Sequence, residues 1–231
     1  MAHQWVEAAD YLANRCTNTD IEQSFMQPRD SSGAVILPGG FRVLVVAREC
    51  DVADALTALR DSMTDRVIGI DLEWRPDQRR GFQNRVALMQ LASSTCAVLI
   101  RTCCMDGLPP CLGAFLGDAS IALVGFGWDT ADEDKAQASF GIGRQDFGHF
   151  FDVQMIAASV TGQKHGLQHL SRMAGCRLPK PHRVTMSDWQ HQTLSPAQIV
   201  YAALDALVTG QIFRCFRLLH ADGNKEASLP G

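Results

Sequence analysis

A helix that is apolar on nearly every side must be wrapped by the rest of its chain, and residues 195–220 read as such a helix. Ser195-Pro196-Ala197-Gln198 is a start signal: a serine cap, proline at the first helical position, and glutamine three residues after the serine. Tyr201, Asp205, Val208 and Ile212 then share one stripe, at spacings of four, three and four. The other side carries Ile199, Ala202, Ala203, Ala206 and Leu207. Asp205 is thus a carboxylate in largely apolar surroundings, where an unpartnered charge is costly. An arginine could neutralise it. So could a metal ion held jointly with other acids.

Two such acids stand at the end of a strand. Residues 67–71 (VIGID) read as buried strand, and side chains two apart on a strand share a face. Asp71 and Glu73 therefore project together at its C-terminal end, the edge of an α/β sheet where ligands bind. Like charges that close disfavour each other unless a cation sits between them. A D-x-E pair taken alone is more often two solvated acids. One metal shared with Asp205 would account for all three carboxylates.

Further strands are expected over residues 41–47, 85–92, 96–100, 121–125 and 149–153. Only Ser93, Ser94 and Thr95 separate the second and third of these, so they should form a hairpin. Helices are expected over 51–63, with Asp51 as cap, and over 112–116, 135–140, 152–160 and 166–174. A hairpin followed by strand–helix alternation makes this an α/β chain with a mixed sheet. One domain over residues 41–220 accounts for these elements. Residues 1–40 read as a loosely packed extension with a short helix over 5–15, and 221–231 as a tail.

With 46% hydrophobic and 20% charged residues, the chain is not of the disordered class. Its formal net charge of −4 argues against a broad basic surface that grips nucleic acid through phosphates alone. Bound cations would reverse that sign locally. The eight cysteines lack paired C-x2-C spacing and suit free thiols in a reducing compartment. The N-terminus has no basic start followed by an apolar core. An intracellular location, nuclear or cytoplasmic, is therefore expected. No uninterrupted apolar run approaches membrane-helix length, so no membrane partner is expected.

The segments Asp71-Leu72-Glu73-Trp74, after a strand, and Tyr201-Ala202-Ala203-Leu204-Asp205, on a late helix, resemble the DEDD superfamily of 3'-5' exonucleases. The tyrosine marks the subgroup that includes ribonuclease D and the Werner-type exonuclease domain. Residues 83–92 (QNRVALMQLA), 123–127 (LVGFG), 166–170 (GLQHL) and 187–205 (SDWQHQTLSPAQIVYAALD) are similar to that subgroup too, and the likeness spans about residues 41–216. It implies a ribonuclease H-like fold, a mixed central sheet flanked by helices. It also implies hydrolysis of RNA or DNA from a single-stranded 3' end to nucleoside 5'-monophosphates, with two divalent cations, Mg2+ or Mn2+. By this resemblance Asp71 would bridge both ions, Glu73 and Asp205 would complete the first, and Tyr201 would orient the attacking water.

The family's fourth acid usually lies four residues after the position of Gly127, where this chain has Ala131. Asp129, Asp132 and Asp134 compete for the role, and counting back from Phe140 favours Asp132, as support for the second ion. The resemblance also places Leu72 near the terminal base, and Trp74, which flanks the acids, and Arg85, as a phosphate contact, are further candidates to touch the substrate. An inactive copy serving as a nucleic-acid-binding or scaffold module is the alternative. Candidates for all four acids and the tyrosine are retained, which favours activity.

Overall fold

The structure, a computed structural model, describes residues 30, 33–77, 81, 83–176, 178 and 181–223, with side chains as far as residue 216. The helix expected over 5–15, and the residues after 223, lie outside the described residues. Seven strands, β1 (Val35–Leu37), β2 (Phe41–Val46), β3 (Val67–Trp74), β4 (Val86–Ala92), β5 (Cys96–Ile100), β6 (Ala122–Gly125) and β7 (His149–Asp152), form one sheet. Their order across it is β1-β2-β5-β4-β3-β6-β7. The described helices are α1 (Val52–Asp61), α2 (Pro110–Leu116), α3 (Asp132–Phe140), α4 (Val153–Thr161), α5 (Leu167–Met173), α6 (His182–Thr185) and α7 (Pro196–Gly223).

The sheet is mixed, as expected. β3–β4 and β4–β5 run antiparallel, while β2–β5, β3–β6 and β6–β7 run parallel. The Ser93 hydroxyl accepts from the Thr95 and Cys96 amides and closes the β4–β5 hairpin. Two details differ from the sequence reading. Residues 35–37, assigned to the extension, pair antiparallel with β2, and Val35 and Leu37 are buried. A three-residue strand running into Pro38-Gly39-Gly40 is too short to show a pattern. Asp51 makes no side-chain cap for α1; it is drawn instead to Arg48, 2.7 Å away.

β3 is buried on both faces, which explains its unbroken apolar run. Ile68, Ile70 and Leu72 point into the core shared with α1, α2 and α3, and Val67 into the core shared with α7. α7 crosses β3, β4, β5 and β6. Its capping box forms as read: the Gln198 amide donates to Ser195 Oγ, and the Ser195 amide to Gln198 Oε1. Its stretch Pro196–Phe216 is, contrary to the sequence reading, long and apolar enough to cross a membrane. Asp205, Thr209 and Gln211 interrupt the apolar run in sequence, which is why its length did not show there. Here 83% of an 18-residue window of that stretch is buried inside the fold, and those polar residues are buried with it.

Gly69 lets α7 come this close. A Cβ at Gly69 would stand 1.9 Å from the Ala206 carbonyl oxygen, and the space facing Gly210 is bounded by Gly69 itself. At the other end of the crossing, Arg214 donates to both carboxylate oxygens of Asp65 and to the Val67 carbonyl, pinning α7 to the start of β3.

Candidate active site

Gly69, Asp71 and Glu73 alternate onto the face of β3 that α7 covers. With Ala206 seated on Gly69, the preceding residue, Asp205, comes level with the acids. Carboxylate oxygens of Asp71, Glu73 and Asp205 lie within 4.8 Å of one another. Asp205 is 5% exposed, whereas Asp71 and Glu73 are half-buried and open toward solvent. This is the cluster expected from the sequence.

Tyr201, one helical turn before Asp205, is buried beside them. Burial, the negative charges of Asp205, Glu73 and Asp71, and a hydrogen bond to Asp205 all hold its hydroxyl proton far above the usual phenol range. The indole of Trp189 packs against the tyrosine ring, with centroids 6.1 Å apart. Trp189 belongs to a loop clasped to the start of α7: the Gln198 side chain donates to Ser187 Oγ and the Asp188 carbonyl. Asp188 itself accepts from the Gln190 amide and so closes a local turn.

Three carboxylates on this scale suit a hard divalent cation that takes oxygen ligands, such as magnesium or manganese. Their mutual repulsion in a partly buried site also favours a counter-charge. The donor set fits the metal that the family resemblance implies.

The three candidates for a fourth acid stand outside this group. Asp132 is the first residue of α3 and is half-buried, outside the three-acid group. Asp134 is exposed, as its step of about 200° around the helix predicts. Asp129 is also exposed and ion-paired with Arg144 at 2.6 Å. The inward side of α3 is formed by Lys135, Ala136 and Ser139, with Phe140 packed against the core. Asp152 caps α4, and it also accepts from the Gly127 and Trp128 amides. It therefore braces the loop that leads from β6 to Asp132.

Of the three residues expected beside the substrate, Leu72 is buried, Trp74 is partly buried and Arg85 is exposed. Leu72 lies between the two acids in sequence and so faces the opposite core, 3% exposed. Trp74 packs partly buried against that same core. Arg85 donates to the Ser139 carbonyl and lines a cavity of about 590 Å³ with Asn84, Thr102, Phe140 and Gln190. Gly69, which brings α7 level with the acids, and the buried Lys135 were missed. Gly69 signalled itself as a glycine inside a strand, which marks a close backbone approach. Lys135 gave no signal, because α3 reads as a polar surface helix.

Comparison with known proteins agrees with this geometry. A profile described as 3'-5' exonuclease matches residues 44–219. A 3'-5' exonuclease of Arabidopsis thaliana is 28% identical over 74% of this chain and 59% of its own length. Exonuclease 3'-5' domain-containing protein 2 of Drosophila melanogaster is 33% identical over 65% of this chain and 25% of its own length. The chain thus spans less than two thirds of each of these two relatives. Among solved structures, ribonuclease D of Escherichia coli superposes with a TM-score of 0.65 at 22% identity, over 78% of this chain and 46% of that one.

Proposed function

Because the chain belongs to the 3'-5' exonuclease family, we propose that it is a metal-dependent nuclease that removes nucleotides one at a time from a single-stranded 3' end of RNA or DNA. The observation that carries this reading is the convergence of three carboxylates with a buried tyrosine at one strand end.

In this reading Asp71, Glu73 and Asp205 would hold the divalent cations, with support from Asp132. Magnesium or manganese there would offset the charge growing on the phosphate and ease deprotonation of a water. Tyr201 keeps its proton, so its hydroxyl stays available to orient that water for in-line attack. The Trp189 contact holds the ring in place while it does so. The leaving group is the 3'-oxygen of the preceding nucleotide, and the product is a nucleoside 5'-monophosphate. Trp74 and Arg85, at the same end of the sheet as the acids, would meet the strand upstream of the bond that breaks.

The test uses 5'-labelled single-stranded RNA and DNA. A descending ladder with magnesium or manganese, abolished by EDTA, is expected. Cleavage that begins internally, or that persists in EDTA, would overturn the reading.

A further inference from the structure

Gln90 is the one polar residue of β4, a strand buried at all seven of its positions. Its own exposure is 0%. Neither its amide nitrogen nor its amide oxygen has a hydrogen-bond partner among the described residues. A side-chain amide carries two donors and a carbonyl acceptor, and leaving them unmade in the interior incurs their full desolvation cost. An unbranched apolar side chain would fill the same place without that cost.

The strand register says what the amide lies beside. Gln90 stands directly opposite Asp71 of β3 on one side and Leu99 of β5 on the other. Residues directly opposite on antiparallel strands share a face, with Cβ atoms about 4.5–5.5 Å apart. Here that face is the one α7 covers. Leu88 and Ala92, two residues before and after Gln90, pack with Leu99 into the core under α7, and they stand opposite Glu73 and Gly69. Gln90 therefore marks the boundary between this apolar core and the carboxylates, and its polar neighbour in the row is Asp71.

We infer that Gln90 is a positioning residue for the metal centre: its amide nitrogen donates to the Asp71 carboxylate when that carboxylate ligates a cation, and so fixes the orientation in which Asp71 binds. This deepens the nuclease reading and rests on the cation which that reading assigns to Asp71, Glu73 and Asp205. Carboxylates that ligate a metal are themselves held by hydrogen bonds from the groups around them. An amide suits this task because it donates without a positive charge that would compete with the cation. The bond belongs to the loaded site, so the amide weakens the metal-free fold and tightens metal binding.

Those opposite signs are the test. The probe is Mn2+ alone, titrated into the chelator-treated full chain, with free Mn2+ read by electron paramagnetic resonance. Gln90→Met keeps the length of the side chain and removes the amide. It should bind Mn2+ about 10–100-fold more weakly than wild type. Without metal it should melt at or above the wild-type temperature. Gln90→Leu repeats both measurements, so that a misfit of one side chain is not read as a lost bond. Unchanged affinity in both variants would make Gln90 a space-filler, and a lower metal-free melting temperature in both would mean that the amide is already bonded without metal. Either result overturns the inference. If the wild type itself takes up no Mn2+, the metal reading fails and this inference falls with it. If wild type and variants bind alike, the nuclease reading stands and the role of Gln90 alone fails.

Discussion

Gly69 and Ala206 meet backbone to backbone, closely enough that one added methyl at Gly69 would fall 1.9 Å from the Ala206 carbonyl oxygen. That contact sets the height of α7 over β3, and with it the distance from Asp205 to Asp71. Gly69→Ala cannot be absorbed by a rotamer change, because the obstacle is backbone. Overpacking of this kind costs about 1–3 kcal/mol. At about 2–4 °C per kcal/mol for a domain of this size, the melting temperature should fall by on the order of 5–10 °C. Gly210→Ala is the contrast. Its Cβ would meet the end of the flexible Arg214 side chain at 3.1 Å and Gly69 only at 3.5 Å. Replacing a mid-helix glycine by alanine gains up to about 1 kcal/mol, so this variant should melt at or above the wild-type temperature. Circular dichroism melts of the pair decide it.

Asp71→Asn should nearly abolish turnover, since it removes a carboxylate proposed to hold the cations. Tyr201→Phe should cost less than Asp205→Asn, because it removes an orienting hydroxyl and leaves the ligands in place. Orienting and acid–base groups typically contribute about 10²–10⁴-fold. Single-turnover rates on a labelled oligonucleotide give the ranking. Equal loss in Tyr201→Phe and Asp71→Asn, with intact circular dichroism, would mean that the tyrosine does more than orient water.

Among the three acids near α3, Asp132→Asn should lose most activity, whereas Asp129→Asn and Asp134→Asn should stay within a few-fold of wild type. Asp134 is exposed, and Asp129 is spent on an exposed pair with Arg144, a kind worth about 0–1 kcal/mol. A dead Asp129→Asn enzyme would transfer the fourth role to that residue.

Metal should register as stability as well as rate. A ligand that binds only the folded state at 100 times its dissociation constant adds about 2.7 kcal/mol. Magnesium or manganese should therefore raise the melting temperature of the chelator-treated protein, and EDTA should reverse the shift. Asp205→Asn, which breaks the three-carboxylate group, should respond weakly. An equal rise in that variant would place the stabilising ion elsewhere.

Acid stability has a marker away from the site. Bonds from Ser120, and then from Arg60, hold the Asp118 carboxyl down at about 2. The unfolded value is about 3.9, so the folded state keeps the charge longer as pH falls. The stabilisation is full above about pH 4 and fades as pH drops toward 2. The stability gap between wild type and Asp118→Asn should thus be flat from about pH 5 to 8 and shrink below about pH 4. Urea titrations at several pH values test this, and a gap that widens on acidification would contradict it.

The parts of this site that were legible in the sequence are those a single element defines. A period of two puts Asp71 and Glu73 on one face, and a period of 3.6 puts Tyr201 and Asp205 on one stripe. The step of about 100° per residue likewise separated Asp132 from the exposed Asp134. The illegible parts depend on contacts between distant segments. Nothing local says that Lys135 is buried, because its partners Asp77 and Asn84 come from another loop. Leu72 looked like a substrate contact from its place between the acids, and the same alternation that joins those acids turns it into the far core. β1 escaped because three residues carry too little periodicity to read.

The crossing of α7 over β3 also bears on the order of events during synthesis. Asp71 and Glu73 leave the ribosome long before Tyr201 and Asp205, and β3 alone can offer a cation only two of the three clustered carboxylates. A nascent or truncated chain that stops before α7 therefore carries no competent centre, however well its strands have paired. If the proposed activity holds, the protein stays harmless to the very message that encodes it until α7 has docked.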